Sequence, residues 1–84
     1  MLHTMTDYHP IDCGLHSEYE LAIMHRQRLR LCWQDPDGTE HIEVIMPLDL
    51  QTRAGEEFLI VRTAAGERLH IRLDRIRQAG KAGA

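Results

Sequence analysis

The stretch Arg28-Leu29-Arg30-Leu31-Cys32-Trp33-Gln34-Asp35-Pro36-Asp37-Gly38, RLRLCWQDPDG, decides the fold class. Leu29, Leu31 and Trp33 alternate with Arg30, Cys32 and Gln34, which is the period of a strand with one side in a core. Asp35-Pro36-Asp37-Gly38 then ends the strand, because Pro presets one φ angle and Gly accepts a positive one, so the chain can reverse. Beyond the turn, Ile42, Val44 and Met46 alternate with His41, Glu43 and Ile45, which predicts a second strand and a hairpin.

The same reading extends downstream. Pro47 opposes continuation in a central strand, so Leu48-Asp49-Leu50 begins a connection reaching about Glu56. Residues 58–63 are apolar enough for a third strand buried on both faces. Ala64-Ala65-Gly66-Glu67 turns the chain. Leu69, Ile71 and Leu73 alternate with His70, Arg72 and Asp74 in a fourth strand, and Arg75-Ile76-Arg77 extends it or makes a short fifth. The last residues, 78–84, carry no packing pattern and are expected to be a flexible tail.

Upstream the period changes. Ser17 and Glu20 stand three apart before Leu21, Ala22 and Ile23, the spacing of a capping box, and predict a helix over 17–26 with Tyr19, Ala22 and Ile23 on one side. Residues 1–7 are expected to be a flexible tail. Between tail and helix lies Tyr8-His9-Pro10-Ile11-Asp12-Cys13-Gly14, where Pro10 biases His9 towards an extended backbone. Its Tyr, Ile and Cys suggest a segment stapled onto the core, with Asp12 pointing outward. The outline is α+β and mostly β: one domain over 8–77, an N-terminal helix followed by a small, strongly bent Sm-like barrel. Closure would remove exposed sheet edges. An SH3-like barrel and an open helix-on-sheet fold are the alternatives.

Bulk properties narrow the function classes. The chain has 84 residues, 43% hydrophobic and 5% aromatic, so one aliphatic core is expected. Two cysteines make no disulfide framework, no basic region followed by an apolar run marks a signal peptide, and no apolar run reaches membrane-spanning length. A cytoplasmic protein with reduced thiols is the expectation. The net charge of −3 hides blocks: residues 1–25 hold four acids and no Lys or Arg, residues 26–34 three Arg and no acid, and residues 35–60 seven acids against Arg53. Six bases against Glu67 and Asp74 follow in residues 61–84. Cross-strand pairing accounts for most such blocks, whereas the acidic N-terminal block has no sequence neighbour to neutralise it and is the better candidate for a partner surface.

The order Tyr8-x-Pro10-Ile11-Asp12-Cys13, Glu20-Leu21-Ala22, His25, Leu29-x-Leu31, Asp37-Gly38, Asp49-Leu50, Glu57-x-Leu59-x-Val61 and Leu73-Asp74-x-Ile76 resembles the Rof family, also called YaeO. These are small bacterial modulators of Rho-dependent transcription termination. The resemblance spans residues 8–77, and its most specific parts are the Tyr-x-Pro-Ile-Asp-Cys opening and the closing Ile71-Arg72-Leu73-Asp74-Arg75-Ile76. It implies an Sm-like barrel with an N-terminal helix, and a monomeric antiterminator that binds the N-terminal RNA-binding domain of Rho and blocks its primary RNA site. The Rho-binding residues it implies here are Tyr8, Asp12, Leu15, Glu18 and Glu20. Where the family runs acidic after the Cys, this chain has Gly14-Leu15-His16-Ser17.

Other chemistries are less well supplied. Cys13 and His16 have a Cys-x-x-His spacing and His25 follows, yet a structural zinc site needs a second tight pair, so no metal or other cofactor is expected. Arg28, Arg30 and Arg72 could meet phosphates, which is the alternative reading as an Sm-like RNA-binding module. A pI near 6.0 and few aromatics argue against it, and the arginines are expected to pair mostly with acids of residues 35–57. A Rof-like adaptor for another protein is the remaining alternative. With one Ser, no Gly-rich phosphate loop and no framed carboxylate pair, no catalytic residues and no enzymatic activity are expected.

Overall fold

The structure is a computed structural model that describes residues 8–83. The expected tail over residues 1–7 lies outside the described residues. Helix α1 (Cys13–Met24) is followed by strands β1 (Leu29–Gln34), β2 (Glu40–Arg53) and β3 (Glu56–Thr63). After these come β4 (Arg68–Arg72), a 3-10 turn (Leu73–Arg75) and β5 (Ile76–Lys81). All neighbours pair antiparallel, in the order β4-β3-β2-β1-β5. The fold is α+β and mostly β. The sheet is not closed: β4 and β5 remain its edges, and the barrel is not formed by strand pairing. Arg68, His70 and Arg72 along the β4 edge discourage addition of a further strand.

The decisive alternation of β1 holds, since Leu29, Leu31 and Trp33 are buried. They join Tyr19 and Ala22 from α1 with Ile45, Leu59, Val61, Ile71 and Leu73 in one core. Truncating a fully buried member such as Leu31 or Leu59 to Ala would cost about 2–5 kcal/mol. In β3, Leu59, Ile60 and Val61 are all buried; Ile60 lies outside that core cluster, and strand alternation sends it to the other side of the sheet.

Three boundaries differ from expectation. Helix α1 starts at Cys13, not Ser17. Its N-cap is Asp12, whose Oδ1 accepts the Leu15 N–H at 2.9 Å, so the Ser17–Glu20 box lies inside the helix and caps nothing. β2 does not stop at Pro47. A register shift between Pro47 and Asp49 absorbs the proline in a bulge, and the strand runs on to a tight turn at Ala54-Gly55. Both turn residues have positive φ, as a two-residue type I′ hairpin requires. The fourth strand ends at Arg72, and the 3-10 turn takes Leu73 and Asp74.

The expected tail from residue 78 is overturned as far as Lys81. Residues 76–81 form β5 on the free side of β1, with a shift between Cys32 and Trp33. Every β5 residue after Ile76 is exposed, so the backbone ladder rather than a buried side-chain set holds this strand.

β2 had two apolar sides to offer, and the register picks the shorter one for the core. Ile45 pairs with Leu29 and goes to the core, while Ile42 and Val44 face solvent. Register decides this, because a one-residue change exchanges the two sides of a strand. His41 shares the core side. Its ring stacks on Trp33 at 5.1 Å and its Nε2 meets Asp35 Oδ2 at 2.6 Å.

Candidate functional site

The N-terminal segment is held to the sheet by a polar seam. The Tyr8 hydroxyl donates to Glu57 Oε1 at 2.8 Å, and the Arg72 guanidinium lies over the Tyr8 ring at 5.7 Å. The His9 backbone N–H donates to Asp74 Oδ2 at 3.0 Å. Arg72 grips Asp74 with two parallel donors, Nε to Oδ1 at 2.7 Å and Nη2 to Oδ2 at 3.0 Å, and reaches Glu56 Oε2 at 3.3 Å. The side chains of Arg72 and Asp74 are only 11% and 7% exposed. Thus the opening Tyr8–Cys13 stretch and the closing Ile71–Ile76 stretch, far apart in sequence, meet in space. Burial, then the Glu57 hydrogen bond and charge, push the Tyr8 phenol far above its ordinary range. The group remains a neutral donor at any physiological pH.

This seam presents α1. Asp12, His16 and Glu20 follow one helical stripe. His16 sits between carboxylates, with Nδ1 3.9 Å from Glu20 and Nε2 3.6 Å from Glu57. Glu18 is two residues from Glu20, about 200° around the helix, so these two acids do not share a surface. Glu18 instead borders a groove of about 310 Å³ between α1 and the β1–β5 edge, lined also by Leu21, His25 and Lys81. Leu21 is 51% exposed and Met24 71%.

The five expected interface residues therefore divide. Tyr8 is half-buried with its hydroxyl engaged, Leu15 packs against the core, and Asp12 is exposed but serves as the helix cap. Glu18 and Glu20 are exposed, on different sides. The stapling role expected of the first segment falls to Tyr8 and Ile11, which pack against the core, and not to the exposed Pro10 and Cys13. Among the described residues no three His, Cys, Asp or Glu side chains converge as metal ligands, and Cys13 and Cys32 are free. No helix among them is long and apolar enough to cross a membrane.

Sequence reasoning missed Glu57 as part of the acidic stripe, and Leu21 and Met24 as the exposed apolar contribution of α1. Glu57 lies in a strand remote from the helix, and only the sheet brings it there. Leu21 and Met24 read as ordinary helix apolar positions, and it is the packing of Tyr19 and Ala22 against the sheet that leaves them facing solvent.

No family model matches the chain, and no match is found among curated proteins. Among solved structures the fold is similar to proteasome accessory factor B/C (PafBC) of Arthrobacter aurescens, with a TM-score of 0.76 at 16% identity. The match covers 94% of this chain and 13% of that one, so the chain spans a small part of that protein's length. At this identity the likeness is one of fold.

Proposed function

We propose that this protein is a binding regulator that docks the exposed side of α1 on the N-terminal RNA-binding domain of the termination factor Rho and competes there with RNA. The observation that carries the reading is the meeting of Tyr8 and His9 with Arg72 and Asp74, because it ties together the two stretches on which the Rof resemblance is most specific. An N-terminal helix before five antiparallel strands ordered β4-β3-β2-β1-β5 supports the Sm-like architecture that goes with it.

Acids on α1 suit a basic RNA-loading surface and would speed and orient encounter. The apolar contribution comes from Leu21 and Met24 beside Glu18, since Leu15 is occupied by the core. Glu18→Lys is accordingly expected to weaken Rho binding about tenfold, equivalent to 1.4 kcal/mol, and Glu20→Lys to weaken it less. Neither should unfold the domain, because neither residue caps the helix. Calorimetric titration of the protein into Rho, with and without single-stranded RNA, tests this. Binding that RNA abolishes is the expected result; absence of binding, or binding indifferent to RNA, overturns the proposal.

A further inference from the structure

The side of the sheet away from the core carries a second surface of opposite sign. Strand register places Arg30 opposite Val44, Met46 opposite Arg62, and Arg62 opposite Arg68. Ile42 and Val44 are 67% and 37% exposed, and Met46 is half-buried beside them. The result is an aliphatic stripe along β2 flanked by arginines on both sides, with neighbouring strands about 4.8 Å apart. Arg28 extends the basic rim. It lines an open depression of about 490 Å³ together with Val44, Met46 and Arg62. A second depression of about 540 Å³ lies across β1, β2 and β5, with Arg30 and Ile42 on its walls.

Two features separate this surface from an ordinary solvated sheet. Among the described residues Arg28, Arg30, Arg62 and Arg68 have no ion pair, although the chain has more acids than bases. Moreover, Arg62 and Arg68 are directly opposed, an arrangement that destabilises a sheet, where a Glu at either position would stabilise it. The acids on the same side of β2 are Glu40, at the far hairpin end beside Gln34, and Asp49, beyond the bulge and opposite Ile60; among the described residues neither makes an ion pair with these arginines. The arginines and the aliphatic stripe are thus left side by side with no ion pair among the described residues.

We infer that this surface docks an acidic peptide segment bearing aliphatic side chains, contributed by a protein partner. The arginines supply the sign of the partner, and Ile42, Val44 and Met46 supply a dry contact for its apolar residues. Single-stranded RNA fits less well, because the centre of the surface is the aliphatic stripe of Ile42, Val44 and Met46, which gives a base no ring to stack on. The inference is independent of the α1 reading, since it uses the other side of the molecule.

The test uses the full chain and a short fluorescein-labelled peptide of glutamate and leucine, with a glutamate–serine peptide and oligouridine as comparisons. Anisotropy gives affinity, and amide shifts of the isotope-labelled protein give location. Expected are tighter binding of the glutamate–leucine peptide than of either comparison, shifts centred on Arg30, Val44 and Arg62, and weakening by salt. Arg30→Glu with Arg62→Glu should raise Kd at least about tenfold, and Val44→Ser, which keeps every charge, should raise it several-fold. Should the double variant fail to fold, Val44→Ser and the shift map decide. No binding, equal binding of the serine peptide, tighter binding of RNA, or shifts confined to α1 would each overturn the inference.

Discussion

Two groups of arginines in this molecule have opposite surroundings. At the seam between the N-terminal segment and the β3–β4 end, Arg72 is nearly buried and engages Asp74, Glu56 and the Tyr8 ring. On the outer side of β1–β4, Arg28, Arg30, Arg62 and Arg68 are exposed, and among the described residues they make no ion pair. The residue type is the same; its physical work differs. Where water is largely excluded, each charge must be matched or the fold is lost. Where water is present, an unmatched charge costs little and stays available to something outside the chain.

The largest expected effect breaks this comparison at the seam. Arg72→Leu leaves Asp74 and Glu56 without the cation that pairs with both. A loss of about 3–5 kcal/mol is expected, as for removing one partner of a buried pair. For a domain of this size each kcal/mol moves Tm by about 4–8 °C. Arg62→Gln should stay within about 0.5 kcal/mol, because relief of repulsion by Arg68 offsets any loss. Thermal and urea unfolding of the two variants checks both; equal losses would show that the seam and the outer side carry the fold alike.

Two tyrosines sharpen the contrast with changes of opposite sign. Tyr8→Phe removes the hydrogen bond to Glu57 and should cost about 1 kcal/mol. Tyr19→Phe should be neutral or stabilise by about 1 kcal/mol, because the Tyr19 hydroxyl is buried and has no hydrogen-bond partner among the described residues. Burial first, then Glu18, push the Tyr19 phenol up to about 12 from its ordinary 10.0. The folded state therefore holds this proton more tightly than the unfolded state does. The associated stability is complete below about pH 10 and declines as pH rises through 12. In unfolding measured from pH 9 to pH 12, Tyr19→Phe should flatten part of that decline. A stabilising Tyr8→Phe would remove the seam from the set of interactions that hold the N-terminal segment.

The legible parts of the molecule were those written in side-chain periodicity. Leu29, Leu31 and Trp33 announce β1, Asp37-Gly38 the first hairpin, and the apolar run of residues 59–61 β3, buried on both sides. What was not legible depended on backbone pairing or on distance in sequence. β5 is written in Gln78-Ala79-Gly80, which has no apolar alternation, because its hydrogen bonds to β1 do the holding. Pro47 read as a terminator because a bulge has no sequence mark of its own. β2 offered two apolar sides, Ile42-Val44-Met46 and Ile45 with its neighbours. The longer one faced outward because register with Leu29, not hydrophobicity, chose. Of the candidate site, the acids of α1 were visible; Glu57 was not, since the sheet alone brings it to His16.

Small gains in stability are expected at two residues that stand apart from both groups of arginine contacts. Arg26 and Ala54 hold φ of 53° and 52°, where an L side chain crowds its own carbonyl. Arg26 closes α1: its N–H donates to the Ile23 carbonyl and the Gln27 N–H to the Ala22 carbonyl, the double bond of a left-handed helix stop usually given to Gly. Ala54 leads the β2–β3 hairpin, a place that favours Asn. Arg26→Gly relieves the strain but adds freedom to the unfolded chain, so a gain of about 0.5 kcal/mol is expected. Ala54→Asn relieves it without that cost and should add about 0.5–1 kcal/mol. Because the hairpin substitution touches neither the seam nor the outer arginines, it should also leave peptide and Rho binding unchanged. A change in either affinity would mean that the hairpin sets the spacing of the surface concerned, and the two groups of arginines would then no longer be energetically separate.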